Sequence, residues 1–214
     1  MAIAWVFPGQ GSQKVGMAEA LLSIDGTRER FAMASELLGR DLLAICQGES
    51  GGGDGLDDLN DTRNTQPALF VIESVLADNL QQQGREPALV AGHSLGELVA
   101  LYSAGVFGLE TGLQLMKTRS ELMANAGGGA MTAVIGFDRA QLDDLVAATD
   151  GVSIANDNSD AQVVIALLQI ITGHHILILT FTLLLITKML RLTLSWLKII
   201  SMPRNLFGIE FMIS

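Results

Sequence analysis

One serine between two glycines, in the stretch LVAGHSLGELVAL, constrains the fold more than any other feature of this 214-residue chain. Ser94 lies between Gly92 and Gly96, directly after an apolar run and directly before a helical pattern. This arrangement is typical of a nucleophile elbow, a tight strand-to-helix turn that holds its serine in a strained, exposed conformation. Backbone N–H groups at the start of the helix can stabilise the negative oxygen of an acyl-transfer intermediate.

The general base that this serine would need is not evident beside it. A serine hydroxyl is a poor nucleophile until a base removes its proton. His93 directly precedes Ser94, but adjacent residues at an elbow point in different directions, so we expect His93 to pack or to form a hydrogen bond instead. The same pattern also fits a glycine-rich turn whose serine merely caps a helix, and the flanking strand and helix favour the nucleophile.

Apolar and turn residues predict an α/β core over residues 1–126. AIAWVF near the start and PALVA before the elbow each predict a buried strand. For the clearest helix we predict that Thr65 is the cap and that Pro67 lies in the first turn. The predicted helices cover residues 15–24, about 27–38 and 41–47, 64–84, the residues after the Gly92–Gly96 turn to about 103, and roughly 109–125. Strands that alternate with helices indicate a mainly parallel, hydrolase-like sheet.

Residues 127–165 predict part of a small ferredoxin-like subdomain. AMTAVIGF reads as a strand, DRAQLDDLVAAT as a helix whose Asp138 and Gln141 resemble a capping box, and VSIANDNSDAQVVI as two short strands. A β-α-β-β order is the first half of a split βαβ unit. The expected second half does not follow, so we predict that the C-terminal part of such a fold is missing.

Composition limits the classes of partner and the compartment. The net charge of −10 argues against nucleic-acid binding, which needs a positive surface. The single cysteine, Cys46, rules out an internal disulfide and suits a reducing cytoplasm, where we expect the protein to lie. Its apolar context predicts a small buried side chain and not a reactive thiol. The N-terminal residues lack the basic segment of a signal peptide.

An abrupt change in composition near Ile165 separates an apolar tail, residues 166–214. Residues 1–165 carry 9 basic and 22 acidic side chains, whereas the tail carries 4 basic side chains and one acidic side chain. A membrane contact of residues 176–200 is one interpretation, but the uncharged run is shorter than the roughly 20 residues that a bilayer needs. An unusual buried core is a second interpretation. The loss of acidic residues favours a third, a tail unrelated to the preceding sequence.

Five segments in order carry a resemblance to a known family. They are VFPGQGSQKVGM (6–17), TRNTQPALF (62–70), AGHSLGE (91–97), LMKTRSELM (115–123) and ANDNSDAQVVIA (155–166). Over residues 1 to about 165 the chain resembles the malonyl-CoA:acyl-carrier-protein transacylase family and the acyltransferase domains of fatty acid and polyketide synthesis. The resemblance implies an enzyme that moves a malonyl group from coenzyme A to the carrier-protein thiol.

The resemblance also implies roles for particular residues. Ser94 would be the catalytic nucleophile, Gln10 and Leu95 would supply backbone N–H groups to the oxyanion hole, and Arg119 would bind the free carboxylate of malonate. A guanidinium suits that task because its planar donors match a carboxylate, although Arg119 alone also reads as a solvated charge on a helix. Gln66 and Asn158 are weaker candidates, since each also fits a local structural role. No metal ion or cofactor is implied: malonyl-CoA is the substrate, and the partner, an acyl carrier protein, brings the phosphopantetheine.

The base that the family uses is a histidine in a downstream Phe-His-Ser-like segment, which this chain lacks. His174 and His175, the only later histidines, have no family-like residues around them. We therefore predict negligible transacylase activity for this chain. A serine thioesterase with the same elbow and a non-catalytic, truncated or membrane-associated product are the alternatives.

The implied partner raises a question of charge. Acyl carrier proteins are typically acidic, and so are residues 1–165, so docking would need a local basic patch. The candidate basic residues are Arg28, Arg30, Arg40, Lys117 and Arg119.

Overall fold

The computed structural model describes residues 2–49, 57–126 and 129–168, and the backbone of residues 207–209. The chain divides into two compact units, residues 1–125 with 203–214 and residues 126–202. His174, His175 and the segment 176–200, on which the predictions about a later base and a membrane contact fall, lie outside the described residues.

The sheet of the first unit is parallel, as predicted. Strand β1 (Ala2–Phe7) pairs with β2 (Leu89–Gly92) on one side and with β6 (Phe207–Ile209) on the other. In the β1–β2 register Phe7 lies opposite Gly92. The two strands therefore end at the same edge of the sheet, and the loop after β1 emerges beside the elbow after β2.

The prediction that PALVA is a buried strand is wrong. Strand β2 forms there, but the Leu89 side chain is 54% exposed and the strand carries no fully buried residue. The physical reason is its position, because β2 is the edge strand in the described order β2-β1-β6. An apolar run indicates a strand but does not tell whether neighbouring elements cover it.

The described residues of this unit form five α-helices beside the sheet: α1 (Thr27–Leu38), α2 (Leu42–Gln47), α3 (Thr62–Gln82), α4 (Leu95–Ser103) and α5 (Leu109–Asn125). Helix α3 is central, since its residues from Asn64 to Val75 are all buried. The largest fully buried apolar side chains of the unit are Trp5, Phe7, Phe31, Leu42, Ile45, Leu69, Phe70, Ile72, Leu95, Leu113 and Met116. Burial of these aliphatic and aromatic side chains away from water stabilises the unit.

Helix α3 begins earlier than predicted. Asp61, and not Thr65, is the N-cap, and its carboxylate accepts a hydrogen bond of 2.8 Å from the Arg63 N–H. The Thr65 hydroxyl lies inside the helix and donates to the Leu59 carbonyl at 2.6 Å. Pro67 consequently lies in the helix interior and not in the first turn. Sequence inspection missed this start because an earlier cap residue competes for the same role.

The predicted helix over residues 15–24 is also wrong. Only a 3₁₀-helix, Glu19–Leu21, forms there, within a series of turns. The Gly16 N–H donates to the Cys46 carbonyl at 2.8 Å, and the backbone bonds that follow join residues three apart, as in turns and a 3₁₀-helix, not four apart as in an α-helix. Cys46 is fully buried, as predicted, and burial raises the pKa of its thiol to about 12.

The second unit has the predicted β-α-β-β order. Strand β3 (Gly129–Ile135), helix α6 (Arg139–Ala148), strand β4 (Val152–Ser159) and strand β5 (Gln162–Leu168) form an antiparallel sheet in the order β3-β5-β4. The Asp138 carboxylate caps α6 by accepting a hydrogen bond of 3.0 Å from the Gln141 N–H. Among the described residues of this unit, Leu142 and Val163 are the only buried apolar side chains.

No helix in the described ranges is both long and apolar enough to cross a membrane.

Candidate active site

The serine of the elbow has a strained backbone. Ser94 lies between β2 and α4 with φ 56° and ψ −108°, and it is the only residue other than glycine with a positive φ among those described. L-residues rarely adopt this region, because the side chain crowds the backbone. The turn therefore has the geometry that the Gly-x-Ser-x-Gly pattern predicts.

Close backbone packing around the turn explains both flanking glycines. A Cβ at Gly96 would lie 2.3 Å from the Phe7 carbonyl oxygen and 2.5 Å from that of Pro8. A Cβ at Gly92 would lie 2.0 Å from the Gly96 carbonyl oxygen. No side chain fits at such distances, so α4 can begin directly against the end of β1 only with glycine at both positions.

His93 connects the elbow to the loop after β1. Its N–H donates to the Phe7 carbonyl at 3.0 Å, and a Cβ at Gly9 would lie 2.7 Å from its Nδ1 atom. In the part of the chain that the structure describes, no hydrogen bond joins the imidazole to Ser94. His93 is exposed and its backbone bonds to the end of β1, so the packing or hydrogen-bonding role of its side chain stays a prediction.

Arg119 places a guanidinium beside the serine. It lies on α5, and its Nη2 donates to the Ser94 Oγ at 2.9 Å while its Nη1 donates to the Gln66 Oε1 at 2.6 Å. Burial lowers the pKa of Arg119, and the Glu97 carboxylate raises it in part. A guanidinium stays protonated in proteins, and none of the described carboxylates forms an ion pair with it. The site thus holds a positive charge that an anion could neutralise.

Gln66 orients that guanidinium. Its side chain is fully buried on α3, and its Nε2 donates to the Thr62 Oγ1 at 2.7 Å and contacts the Met123 Sδ at 3.1 Å. The sequence also fits a Gln66 that only shapes the start of the helix, whereas the structure brings Gln66 into contact with Arg119. Thr62 was missed altogether. The i, i+4 spacing of Thr62 and Gln66 would have indicated their contact, but only with the correct start of α3.

The two predicted oxyanion-hole residues lie at the two loops that meet here. Gln10 follows β1, and its side-chain Oε1 accepts a hydrogen bond of 2.8 Å from the Thr62 hydroxyl. Leu95 is the first residue of α4, so its N–H has no acceptor within the helix. Asn158 lies on β4 of the second unit, where its amide donates to the Gln162 Oε1 at 3.3 Å.

The direction of the hydrogen bond to Ser94 matters for its chemistry. Because Arg119 donates to the Ser94 oxygen, the hydroxyl proton is free to point to another acceptor. Within the described ranges no histidine or carboxylate takes that proton. The site therefore has a nucleophile and a cation in contact, and its general base is not among the residues described.

Comparison with known proteins identifies the family. A family model described as the acyl transferase domain matches residues 4–169. The chain belongs to this family. The five segments that suggested the resemblance all lie within the matched range, and the elbow, Arg119 and Gln66 are the parts of the acyl transferase domain that contact one another in this chain.

Individual relatives agree with this assignment. The chain is 52% identical over 166 residues to a malonyl CoA-acyl carrier protein transacylase of Synechocystis sp., covering 78% of this chain and 55% of that protein. It is 45% identical over 171 residues to the protein of that name from Escherichia coli K12, covering 76% and 54%.

The fold matches solved transacylases. The crystal structure of the Synechocystis sp. enzyme superposes with a TM-score of 0.70 at 53% identity, covering 77% of this chain and 54% of that one. A malonyl-transacylase in complex with its type II polyketide synthase acyl-carrier protein superposes with a TM-score of 0.68 at 41% identity, covering 78% and 55%. The acyl transferase chain thus spans about half the length of the transacylases it matches.

Proposed function

We propose that the site accepts the malonyl group of malonyl-CoA, with Ser94 as the nucleophile and Arg119 as the ligand of the free malonyl carboxylate. The observation that carries the proposal is the Arg119 guanidinium, which lies 2.9 Å from the Ser94 Oγ and forms no ion pair with a described carboxylate. A partly buried cation that forms no ion pair with a described residue favours an anionic substrate. Its contact with the nucleophile favours an acyl group that carries a second carboxylate.

The proposed reaction has two steps of the same kind. The Ser94 oxygen attacks the thioester carbon, a C–O bond forms, the C–S bond breaks, and coenzyme A leaves as the thiol with the proton that Ser94 gave up. The phosphopantetheine thiol of an acyl carrier protein then attacks the ester, which returns the proton to Ser94. We assign the backbone N–H groups of Gln10 and Leu95 to the negative oxygen of both intermediates.

The carrier protein is part of the proposal, and one relative of known structure is a complex with such a partner. Most of the predicted basic patch bonds within this chain instead. Arg30 pairs with Asp78, and Lys117 donates to the Leu37 carbonyl at 3.0 Å. Arg40 and Arg119 are likewise bonded to Asn64 and Gln66. Of these four residues only Arg30 has its charge neutralised by an ion pair with a described residue, because hydrogen bonds to neutral groups leave the charges of Lys117, Arg40 and Arg119 in place to attract an acidic carrier protein.

Binding and turnover are separate in this proposal, because the described residues provide the cation and the nucleophile but not the base. We expect tight binding of malonyl-CoA with negligible spontaneous acylation of Ser94. Added imidazole, which can replace a missing base, should accelerate the acylation.

The test measures binding of malonyl-CoA and acetyl-CoA by calorimetry and acylation by intact-protein mass spectrometry. Loss of a charged hydrogen-bonding partner costs about 1.5–3 kcal/mol, so malonyl-CoA should bind Arg119→Met roughly 10- to 100-fold more weakly, while acetyl-CoA binding stays unchanged. Ser94→Ala should remove the imidazole-dependent acylation without removing the binding.

The competing functions predict other results. A thioesterase would release free malonate in parallel with acylation, and that hydrolysis would have to exceed transfer to carrier protein. A non-catalytic product would show no Ser94 acylation even with imidazole. Equal affinity for malonyl-CoA and acetyl-CoA in the unaltered chain would contradict the role of Arg119.

A further inference from the structure

We propose that Thr62 is a positioning residue of this site, which joins the oxyanion loop to the carboxylate-binding pair through one hydroxyl group. The oxyanion loop is Gly9-Gln10-Gly11, and the carboxylate-binding pair is Gln66 and Arg119. This inference rests on the proposed function, because it assigns to Thr62 the task of holding two parts of that site in one geometry.

A continuous chain of hydrogen bonds connects the two parts. Arg119 donates to the Gln66 Oε1 at 2.6 Å, the Gln66 Nε2 donates to the Thr62 Oγ1 at 2.7 Å, and the Thr62 hydroxyl donates to the Gln10 Oε1 at 2.8 Å. The other nitrogen of Arg119 donates to the Ser94 Oγ. The chain therefore runs from the nucleophile to the loop that carries the Gln10 N–H.

The chemistry of arginine fixes the direction of every bond in this chain. A guanidinium only donates, so Gln66 must turn its oxygen toward Arg119 and its nitrogen toward Thr62. Thr62 then accepts from Gln66, and its single proton is left for Gln10. Gln10 must in turn present its oxygen to Thr62. A side chain at position 62 without a hydroxyl would leave both glutamine amides without this constraint.

Burial makes the loss of the hydroxyl consequential. Gln66 is fully buried, and the other neighbour of its Nε2, the Met123 sulfur, is a weak acceptor. Without Thr62 the buried amide nitrogen would lack a good partner, which is unfavourable. The amide would rotate to recover a bond, and its oxygen would no longer hold Arg119.

Helix formation does not explain the Thr62 hydroxyl. The N-cap task at the start of α3 belongs to Asp61, whose carboxylate accepts from the Arg63 N–H. The nearby Thr65 hydroxyl bonds only to backbone carbonyls, those of Leu59 and Asp61. The Thr62 hydroxyl differs, because both of its bonds go to side chains of the site.

Thr62→Val tests this role, since valine keeps the shape and removes the hydroxyl, and Thr62→Ser keeps the hydroxyl. Thr118→Val makes the same chemical change on the exposed surface of α5 and is the matched control. If Thr62→Val folds poorly, Thr62→Ala removes the hydroxyl with a smaller side chain. Two properties are measured in the full chain: the affinities for malonyl-CoA and acetyl-CoA, and the NMR signals of the Gln66 and Gln10 side-chain amides and the Arg119 Nε–H.

We expect Thr62→Val to shift all three NMR signals and to weaken malonyl-CoA binding roughly 10-fold, with acetyl-CoA binding unchanged. Thr62→Ser should restore both properties, and Thr118→Val should alter neither. Unchanged Gln66 and Arg119 signals in Thr62→Val would overturn the proposal. If the unaltered chain binds no malonyl-CoA, the proposed function fails, but the NMR signals still decide whether Thr62 positions the two groups.

Discussion

Glu73 is a buried acid that the proposed chemistry does not use. It lies in the middle of α3 with 2% of its surface exposed, and neither carboxylate oxygen has a hydrogen-bond partner among the described residues. Burial without a compensating charge raises the pKa of Glu73 to about 9. Glu73 is therefore a neutral carboxylic acid near pH 7, and its ionisation opposes folding.

Glu73→Gln should make stability less dependent on pH. The unfolded chain releases the Glu73 proton near the ordinary pKa of 4.5, whereas the folded chain holds it up to about pH 9. Ionisation of Glu73 therefore does not change the free energy of unfolding below pH 4.5 and lowers it as the pH rises toward about 9. Between these values the free energy of unfolding of the unaltered chain should fall by up to ~1.4 kcal/mol per pH unit more than that of the variant. Urea unfolding at about pH 6 and about pH 8 measures this difference.

Glu36→Gln, an exposed position on α1, is the matched control and should keep the pH dependence of the unaltered chain. Parallel pH profiles for Glu73→Gln and the unaltered chain would show that Glu73 ionises in the folded state without cost.

The local conformation of neighbouring residues was easier to predict than contacts between residues that are distant in the sequence. The Ser94 turn follows from its own five residues, because the glycines permit a backbone approach that no other residue allows. The contact between Ser94 and Arg119 depends on how α5 packs, which no spacing along the chain expresses. Arg119 entered the prediction only through the family resemblance, and Thr62 did not enter it.

At the scale of helices, α3 continues through a proline because another side chain replaces the missing donor. Pro67 has no N–H to donate to the Arg63 carbonyl, four residues earlier, and interior prolines normally break helices for this reason. In this chain the Arg40 Nη2 donates to that carbonyl at 2.9 Å, and its Nε donates to the Asn64 Oδ1. Arg40, just after α1, thus completes the hydrogen bonding of a different helix.

Arg40→Met should therefore destabilise the chain by about 1–3 kcal/mol, since it leaves a helix carbonyl without its donor. The loss should be smaller in a Pro67→Ala background, where the restored N–H can bond to the Arg63 carbonyl. A double-mutant cycle by urea unfolding measures this coupling. Arg28→Met, at an exposed position of α1, is the control and should have little effect. Additive losses for Arg40→Met and Pro67→Ala would contradict the replacement.

The helix boundaries show why element prediction succeeded only in part. Helices α1, α2, α4 and α5 begin and end close to the predicted residues, since caps, glycines and apolar periodicity agree there. The start of α3 differs from prediction because Asp61 caps the helix before Thr65 can do so. The segment over 15–24 differs because its Gly16 N–H bonds to the Cys46 carbonyl, a partner from a distant part of the chain that local patterns cannot contain.

At the scale of the whole molecule, the two units differ in the amount of core that they bury. The first unit buries a continuous cluster around α3, whereas only Leu142 and Val163 are buried apolar side chains in the described part of the second. The β3 side chains are almost all exposed, including Met131 and Ile135. Because apolar burial is the main favourable term in folding, the first unit should be the more stable one.

Hydrogen exchange followed by mass spectrometry should therefore show roughly 100-fold lower protection for the amides of β3 and β4 than for those of α3, corresponding to about 3 kcal/mol in local opening free energy. Both regions are measured in the same sample, so each serves as the reference for the other. Equal protection of β3 and α3 would indicate that the chain unfolds as one cooperative unit.

At Ser94 the strained backbone lowers the stability of the chain, whereas the side-chain hydroxyl is what the proposed chemistry requires. Glycine adopts a φ of 56° freely, so Ser94→Gly would relieve the strain and keep the turn. A library selected for thermal stability alone would consequently enrich chains that have lost the hydroxyl. Engineering of this domain has to hold Ser94 constant and seek its stabilising substitutions elsewhere.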